Sequence, residues 1–208
     1  MPEESRPKNK RIFARAEDDW YVEPERVTSQ LLSRERFAGT TWDPACGQGN
    51  ALYALLNAGF NAVGSDITDR RAAWLRSGHP ERFYAGDFLD PATRWPWVAD
   101  NIVTNPPYGR AAKAEAFIRR ALDLVPGKVA VFVEMRFLGA HKRASGLFAE
   151  RPPSRLYFVL PRPSCPPGAY IAAGGKVGGG EADYVWIVWD NAAPASGTQA
   201  FWLTTDDA

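Results

Sequence analysis

Cysteine and histidine are scarce in this chain of 208 residues, with two of each. Cys46 and Cys165 lie far apart, with neither a metal-ligand spacing nor a disulfide framework around them, and His79 and His141 show no ligand spacing either. No metal is therefore expected. The chain also lacks a long apolar run and the pattern of a signal peptide, which excludes a membrane span and leads us to expect a soluble, cytoplasmic protein of a reducing compartment. An excess of charge of one sign is missing as well: 25 Lys and Arg stand against 24 Asp and Glu, a formal net charge of +1. Partners of nucleic acid usually leave a clearly basic footprint, so any such surface here must be local. The candidates are Arg6, Lys8, Lys10 and Arg11 near the start, and Arg136, His141, Lys142, Arg143, Arg151, Arg155 and Arg162 further on. Taken singly, most of these read as solvated surface residues.

What is present is an ordinary globular composition, with 45% hydrophobic and 24% charged residues. The length suits one domain with an elaborated loop or terminus. The boundaries we expect are a mobile, polar arm over 1–17, a folded domain over 18–192 and a tail over 193–208. There is no internal repeat.

From Thr40 onward short β-branched or aromatic runs alternate with stretches of helical spacing, the pattern of a parallel sheet with crossover helices. Seven strands are expected, at 40–45, 61–67, 82–88, 101–105, 128–135, 155–161 and 183–190. Between the first two, Ala51, Leu52, Leu55, Leu56 and Ala58 form one apolar face and Gly59 supplies a helix stop. After the fourth, Phe117, Ile118, Ala121, Leu122 and Val125 repeat the pattern before Pro126 and Gly127. The last two strands are joined by a Gly- and Pro-rich segment, 162–182, which predicts an antiparallel pair with a long mobile loop.

Two stretches carry chemistry. The first, DPACGQGN at 43–50, falls where a strand turns into a helix. Gly47 and Gly49 allow a tight turn and a close approach of backbone to ligand, and the helix offers its unpaired N–H groups. A dinucleotide fingerprint needs a third glycine, which is missing, and Asp43 would repel a pyrophosphate while attracting a cationic amine or sulfonium. That favours S-adenosylmethionine over NAD. Asp66, at the end of the second strand, is placed to accept hydrogen bonds from ribose hydroxyls, and Asp87, after the third, from an adenine amino group with Phe88 beside the ring.

The second stretch is Asn105-Pro106-Pro107-Tyr108, at the end of the fourth strand and so opening into the same crevice. An exocyclic amine conjugated to an aromatic ring is a poor nucleophile. Two acceptors aimed at its hydrogens pull the nitrogen toward tetrahedral geometry and stabilise the charge that develops on attack. Asn105 offers a side-chain oxygen and Pro106 a carbonyl, while Pro107 restricts Pro106 to an extended conformation. Tyr108 offers a π face for a base. The scheme requires no general base, its rate gain coming from positioning and charge stabilisation.

These residues resemble the amino-group methyltransferases that use S-adenosylmethionine, most closely the N6-adenine DNA methyltransferases of the gamma order or the Dam-like group. DPACGQGN is similar to their motif I, Asp66 to the acid of motif II, AGDF at 85–88 to motif III, and NPPYG at 105–109 to motif IV. DDWYVEPERV at 18–27 is similar to motif X, and the segments 132–143 and 155–165 look like parts of small phage-associated adenine methyltransferases. The resemblance spans most of 18–190. It implies a Rossmann-like class I methyltransferase fold, an α/β sheet of seven mostly parallel strands with the last inserted antiparallel and helices on both faces. It implies cofactor contacts from Trp20, Tyr21 and Pro24, from Asp43, Pro44, Ala45, Cys46, Gly47 and Gly49, and from Asp66, Ile67, Asp87, Phe88 and Asn105. Asn105, Pro106, Pro107 and Tyr108 would be catalytic.

Two departures stand out. Cys165 occupies a position usually aromatic in that family, and no separate target-recognition domain is expected, which leaves the loop 162–182 and the basic stretch 141–155 for recognition. A DNA substrate requires the adenine flipped out or single-stranded, with phosphates held by Lys142, Arg143 and Arg162. The protein would act as a monomer or homodimer, bacterial or phage-encoded, alone or in a restriction-modification pair. The same tetrapeptide occurs in enzymes that methylate RNA adenines and protein glutamines, so those substrates stay open. So does a non-catalytic binding module; an NAD oxidoreductase is remote.

Overall fold

The computed structural model describes residues 19–70, 79–108, 112–180, 182–194 and 196–207. The expected arm over 1–17 with Arg6, Lys8, Lys10 and Arg11, the first residue of the motif X-like segment, Asp18, and Gly109 after the tetrapeptide lie outside the described residues.

The strands are β1 (Thr40–Asp43), β2 (Asn61–Asp66), β3 (Phe83–Ala85), β4 (Asn101–Thr104), β5 (Lys128–Glu134), β6 (Arg155–Val159), β7 (Tyr184–Asp190) and β8 (Gln199–Leu203). The helices are α1 (Glu25–Arg34), α2 (Asn50–Asn57), α3 (Ala112–Leu124), α4 (His141–Ser145), α5 (Leu147–Glu150) and α6 (Gly168–Ala172). All eight strands form one sheet in the order β3-β2-β1-β4-β5-β7-β6-β8. The first five pair in parallel, β7 runs antiparallel to both β5 and β6, and β8 is parallel to β6.

Both faces of the sheet are covered, which explains the nearly unbroken apolar runs of β5 and β7. Side chains alternate between faces along a strand. Ala130 and Phe132 of β5 accordingly join one buried cluster with Val27, Leu31, Leu52 and Leu55 from α1 and α2. Val129, Val131 and Val133 join another with Phe117, Ile118 and Leu122 from α3. On α1 the polar Gln30 is also buried, its Nε2 donating to the carbonyls of Leu160 and Thr204 at 2.9 and 2.6 Å.

The sheet differs from the expected one by a strand. Residues 199–203, expected within a tail, form β8. Its burial is that of an edge, with only Leu203 buried, so no alternation of apolar and polar residues marked it in advance. Its aromatics pack across the strand pair instead: Phe201 stacks on Tyr157 at 5.4 Å and Trp202 lies 5.5 Å from Phe158.

The segment 162–182 is also not a plain loop. It contains α6, and it is fastened near its start to the chain ahead of α1, with Val22 N–H donating to Pro166 O and Gly168 N–H to Trp20 O, both at 2.9 Å.

Strand order reverses between β1 and β4: β1 leads outward to β2 and β3, β4 outward the other way to β5. A crevice opens beyond the carboxyl ends of two such strands, because their connections leave in opposite directions. DPACGQGN follows β1 and the tetrapeptide follows β4, so topology alone brings both stretches to one place.

Candidate active site

A cleft of about 650 Å³, counted to its open mouth, lies at that switch point. Trp20, Tyr21, Pro44, Ala45, Cys46, Gly47, Asp66, Ile67, Asp87, Phe88, Asn105 and Pro107 line it, all of them expected from sequence. Glu23, Arg70 and Lys113 line it too and were not singled out, and Phe117, expected on the apolar face of the helix after the fourth strand, lines it as well. Pro24, Asp43, Gly49, Pro106 and Tyr108 lie outside the lining. Pro24 caps α1 instead, and Gly49 takes a left-handed φ of 89° to start α2.

Gly47 has a φ of 52°, and a Cβ there would come within 2.7 Å of the Trp20 indole nitrogen. A side chain at this position would both strain the turn and push Trp20 away. Trp20 is held from its other side by Gly168, where a Cβ would overlap the indole ring.

Asp43 is buried and does not face the cleft directly. Its Oδ1 accepts hydrogen bonds from Thr104 Oγ1 at 2.8 Å and from Ala45 N–H at 3.1 Å. Burial, reinforced by the charge of Glu23, pushes its carboxyl well above the usual range. The same burial pushes up the neighbouring Cys46 thiol, so Cys46 packs as an inert wall.

Asp66 is more heavily used than expected. Its Oδ2 accepts from Gly47 N–H at 2.9 Å, and its Oδ1 from Thr68 N–H at 3.0 Å and from Arg70 at 2.6 Å. A ribose hydroxyl is left with the second lone pair of Oδ2 or must displace Arg70. Arg70 in turn lies 4.3 Å over the Trp20 ring, so Asp66, Arg70 and Trp20 form one connected wall. Asp87 differs: Oδ1 accepts from Leu89 N–H at 2.8 Å, while Oδ2 receives no hydrogen bond among the described residues. Phe88 is 1% exposed and packs edge-on to Trp42, whereas Ile67 is 59% exposed. The apolar face open to a flat ring is therefore Ile67 more than Phe88.

In the tetrapeptide, Asn105 makes three contacts. Its Nδ2 donates to Glu23 Oε2 at 2.8 Å and to the Tyr21 carbonyl at 3.3 Å, and its Oδ1 accepts from the Tyr108 hydroxyl at 2.7 Å. One lone pair of Oδ1 remains for a substrate amine. Tyr108 is wedged between the two core clusters, 6.3 Å from the Tyr21 ring. Burial raises its hydroxyl far above the ordinary value, so it stays a neutral donor. The Pro106 carbonyl accepts no hydrogen bond among the described residues.

The basic candidates are mostly spent on protein partners. Arg143 is corrected outright: it is buried at 9% exposure, donates to Phe137 O at 2.7 Å and covers the Phe137 ring, and is not free for a phosphate. Arg155 is tied to Glu35, Arg136 to Glu134, and Arg151 to Asp123 at 3.2 Å. Arg162 pairs with Asp183 at 2.6 Å, but both are half-exposed, and such pairs open at little cost. Lys142 is exposed on α4, with no ion pair among the described residues. Cys165 packs against the first cluster, hydrogen-bonded with Tyr184, and burial pushes its thiol up.

Among the described residues no helix is long and apolar enough to cross a membrane, and no group of three or more His, Cys, Asp or Glu could hold a metal ion.

The fold is the Rossmann-like fold of class I methyltransferases. Precorrin-6y C5,15-methyltransferase from Geobacter metallireducens has a similar structure, at a TM-score of 0.50 and 11% identity over 79% of this chain and 86% of that one. TrmN from Thermus thermophilus is similar at a TM-score of 0.48 and 21% identity; the match covers 80% of this chain and 48% of TrmN, about half its length. No protein-family model matches this chain, and no curated protein does either.

Proposed function

We propose that the protein transfers a methyl group from S-adenosylmethionine to a planar exocyclic amine, and that the amine is N6 of adenine in DNA. The observation that carries the reading is the meeting, at one switch-point cleft, of the Asn105-Pro106-Pro107-Tyr108 turn with a glycine turn walled by carboxyl groups.

The cleft suits the cofactor. Gly47 admits a close backbone approach, Ile67 offers an apolar face to a purine, and Asp87 keeps an oxygen for its amino group. Glu23 and Asp66 at the wall, with Asp43 behind them, favour a cation. When bound, S-adenosylmethionine supplies an electrophilic methyl on its sulfonium. The chain supplies the remaining lone pair of Asn105 Oδ1 and the carbonyl of Pro106 to hold the amine and stabilise its developing charge. Tyr108 steadies Asn105 through its hydroxyl. Adenine within a duplex must leave the stack to reach these groups.

Incubation with S-adenosylmethionine labelled in its methyl group, alongside DNA, RNA or protein, tests the reading. Label in DNA, recovered as N6-methyladenine, is the expected result. Label in RNA alone or in glutamine side chains alone would replace the DNA assignment, and transfer to none would overturn the activity.

A further inference from the structure

Glu23 joins three segments of chain beside the cleft, its own, that of Asn50 and that of Asn105. Its Oε2 accepts from Asn105 Nδ2 at 2.8 Å, and the nearby backbone N–H groups of Ala51, in the first turn of α2, and of Glu23 itself favour its ionised form. The Glu23 carbonyl accepts from Asn50 Nδ2 at 2.6 Å. Glu23 is 7% exposed, and part of that surface faces the cleft.

An asparagine carboxamide has two ends of nearly equal shape, and turning it over exchanges an acceptor for a donor. Of the groups around Asn105, the Tyr108 hydroxyl tolerates either end, because it both donates and accepts, and the Tyr21 carbonyl contact is long at 3.3 Å. An ionised carboxylate only accepts, so Glu23 rejects the reversed amide. We propose that Glu23 is the positioning residue of the amine site: as a carboxylate it holds Asn105 with Oδ1 as the acceptor left for the substrate, and on protonation it releases that hold. The proposal rests on the amine-methylating reading above, where the orientation of this amide governs turnover.

The groups around Glu23 leave it able to switch. Asp43 faces it from the end of β1, Tyr108 from beyond β4 and Cys165 from beyond β6, with Arg26 of α1 facing Cys165. From α2 the backbone N–H of Ala51 favours its ionised form. Tyr108 and Cys165 are kept neutral by burial. Asp43 is pushed upward by burial and by Glu23, so the two carboxyls compete for ionisation. Burial raises Glu23 itself to about 7, against the opposing hydrogen bond from Asn105.

The test reads Asn105 directly, without substrate. In ligand-free protein labelled with the heavy nitrogen isotope, the side-chain amide signal of Asn105 is assigned by its loss in Asn105→Ala. It should titrate with a midpoint at about pH 7 in the parent and lose that titration in Glu23→Gln. In turnover, Glu23→Gln should lower kcat by about tenfold while binding S-adenosylhomocysteine within about threefold of the parent, with Glu23→Asp between the two. A titration that persists in Glu23→Gln overturns the proposal. So does a Glu23→Gln protein that melts earlier yet keeps the parental kcat and pH profile, since that is a purely structural role. If the parent methylates nothing but the titration is present and Glu23-dependent, the coupling of Glu23 to Asn105 is supported and the functional reading is what fails.

Discussion

Asn105 is held by donors and acceptors from three directions, so truncation should act on chemistry more than on binding. On the proposed amine-methylating reading, Asn105→Ala removes one of two acceptors for the amine and should lower kcat by about 10²- to 10³-fold. Affinity for S-adenosylhomocysteine, measured by calorimetry, should change little. Glu23 and Asp43 add a dependence on pH. Both carboxyls are raised by burial, and a cation beside them favours their ionised forms. S-adenosylmethionine should therefore bind more tightly as pH rises through about 7, with release of protons detectable in buffers of different ionisation enthalpy. S-adenosylhomocysteine, which lacks the sulfonium charge, should show a weaker trend. The ligand-free protein behaves in the opposite sense. A carboxyl whose folded value exceeds its unfolded one contributes stability that is complete below the unfolded value and lost as pH rises through the folded one. Glu23 should thus cost the empty protein on the order of 1–3 kcal/mol between pH 5 and pH 8.

Among the elements, the turn after α1 carries a charge that organises the far edge of the sheet. Glu35 is 2% exposed and receives Lys128 of β5 at 2.6 Å, the Tyr157 hydroxyl of β6 at 2.9 Å, and Arg155. Burial alone would raise its carboxyl, but the hydrogen bonds from Arg155 and Lys128 and their charges outweigh it and leave it lowered. Glu35→Gln leaves both cations without their shared partner and should destabilise the fold by about 3 kcal/mol, measured by urea denaturation. The sign with pH is the reverse of Glu23: this stability is present above the usual carboxylate range and disappears as acid carries Glu35 through its lowered value. β8 depends on the same edge, since Arg34 of α1 binds Asp207 at 2.6 Å just beyond that strand. The anchored segment at 166–168 ties the loop toward Trp20, so the wall of the cleft and the proposed substrate loop are mechanically one piece.

For the molecule as a whole, a net charge of +1 and a set of internally paired arginines leave few unpaired cations at the surface of the described residues. For the proposed DNA substrate, Lys142→Ala and Arg162→Ala should each weaken binding uniformly across sequences and reduce the dependence of log K on log salt by about 1. Arg143→Ala should leave that slope unchanged and lower the melting temperature instead, because its guanidinium is spent on Phe137. Fluorescence anisotropy over a salt series, paired with thermal denaturation, separates the two effects.

Seven of the eight strands were legible as runs of β-branched and aromatic residues, most clearly β5 and β7, because a strand covered on both faces must be apolar along its length. The cleft was legible for a related reason: Gly47 and the doubled proline mark backbone requirements that few other residues satisfy, and such requirements are written locally. β8 was not, since an edge strand needs no alternation and its aromatics find partners only once β6 is beside them. Glu23 was hidden in the same way. Nothing in VEPER distinguishes a surface acid from one that bonds residues 50 and 105. Arg143, equally anonymous in sequence, turned inward. Sequence by itself determined seven of the strands, the helices after β1 and β4, and the chemical types gathered there, because those follow from local backbone and hydrophobic demands. Which charges are buried, which are paired and which partners hold each end of the Asn105 amide were decided only by tertiary structure, since burial and partnership belong to segments distant in the chain.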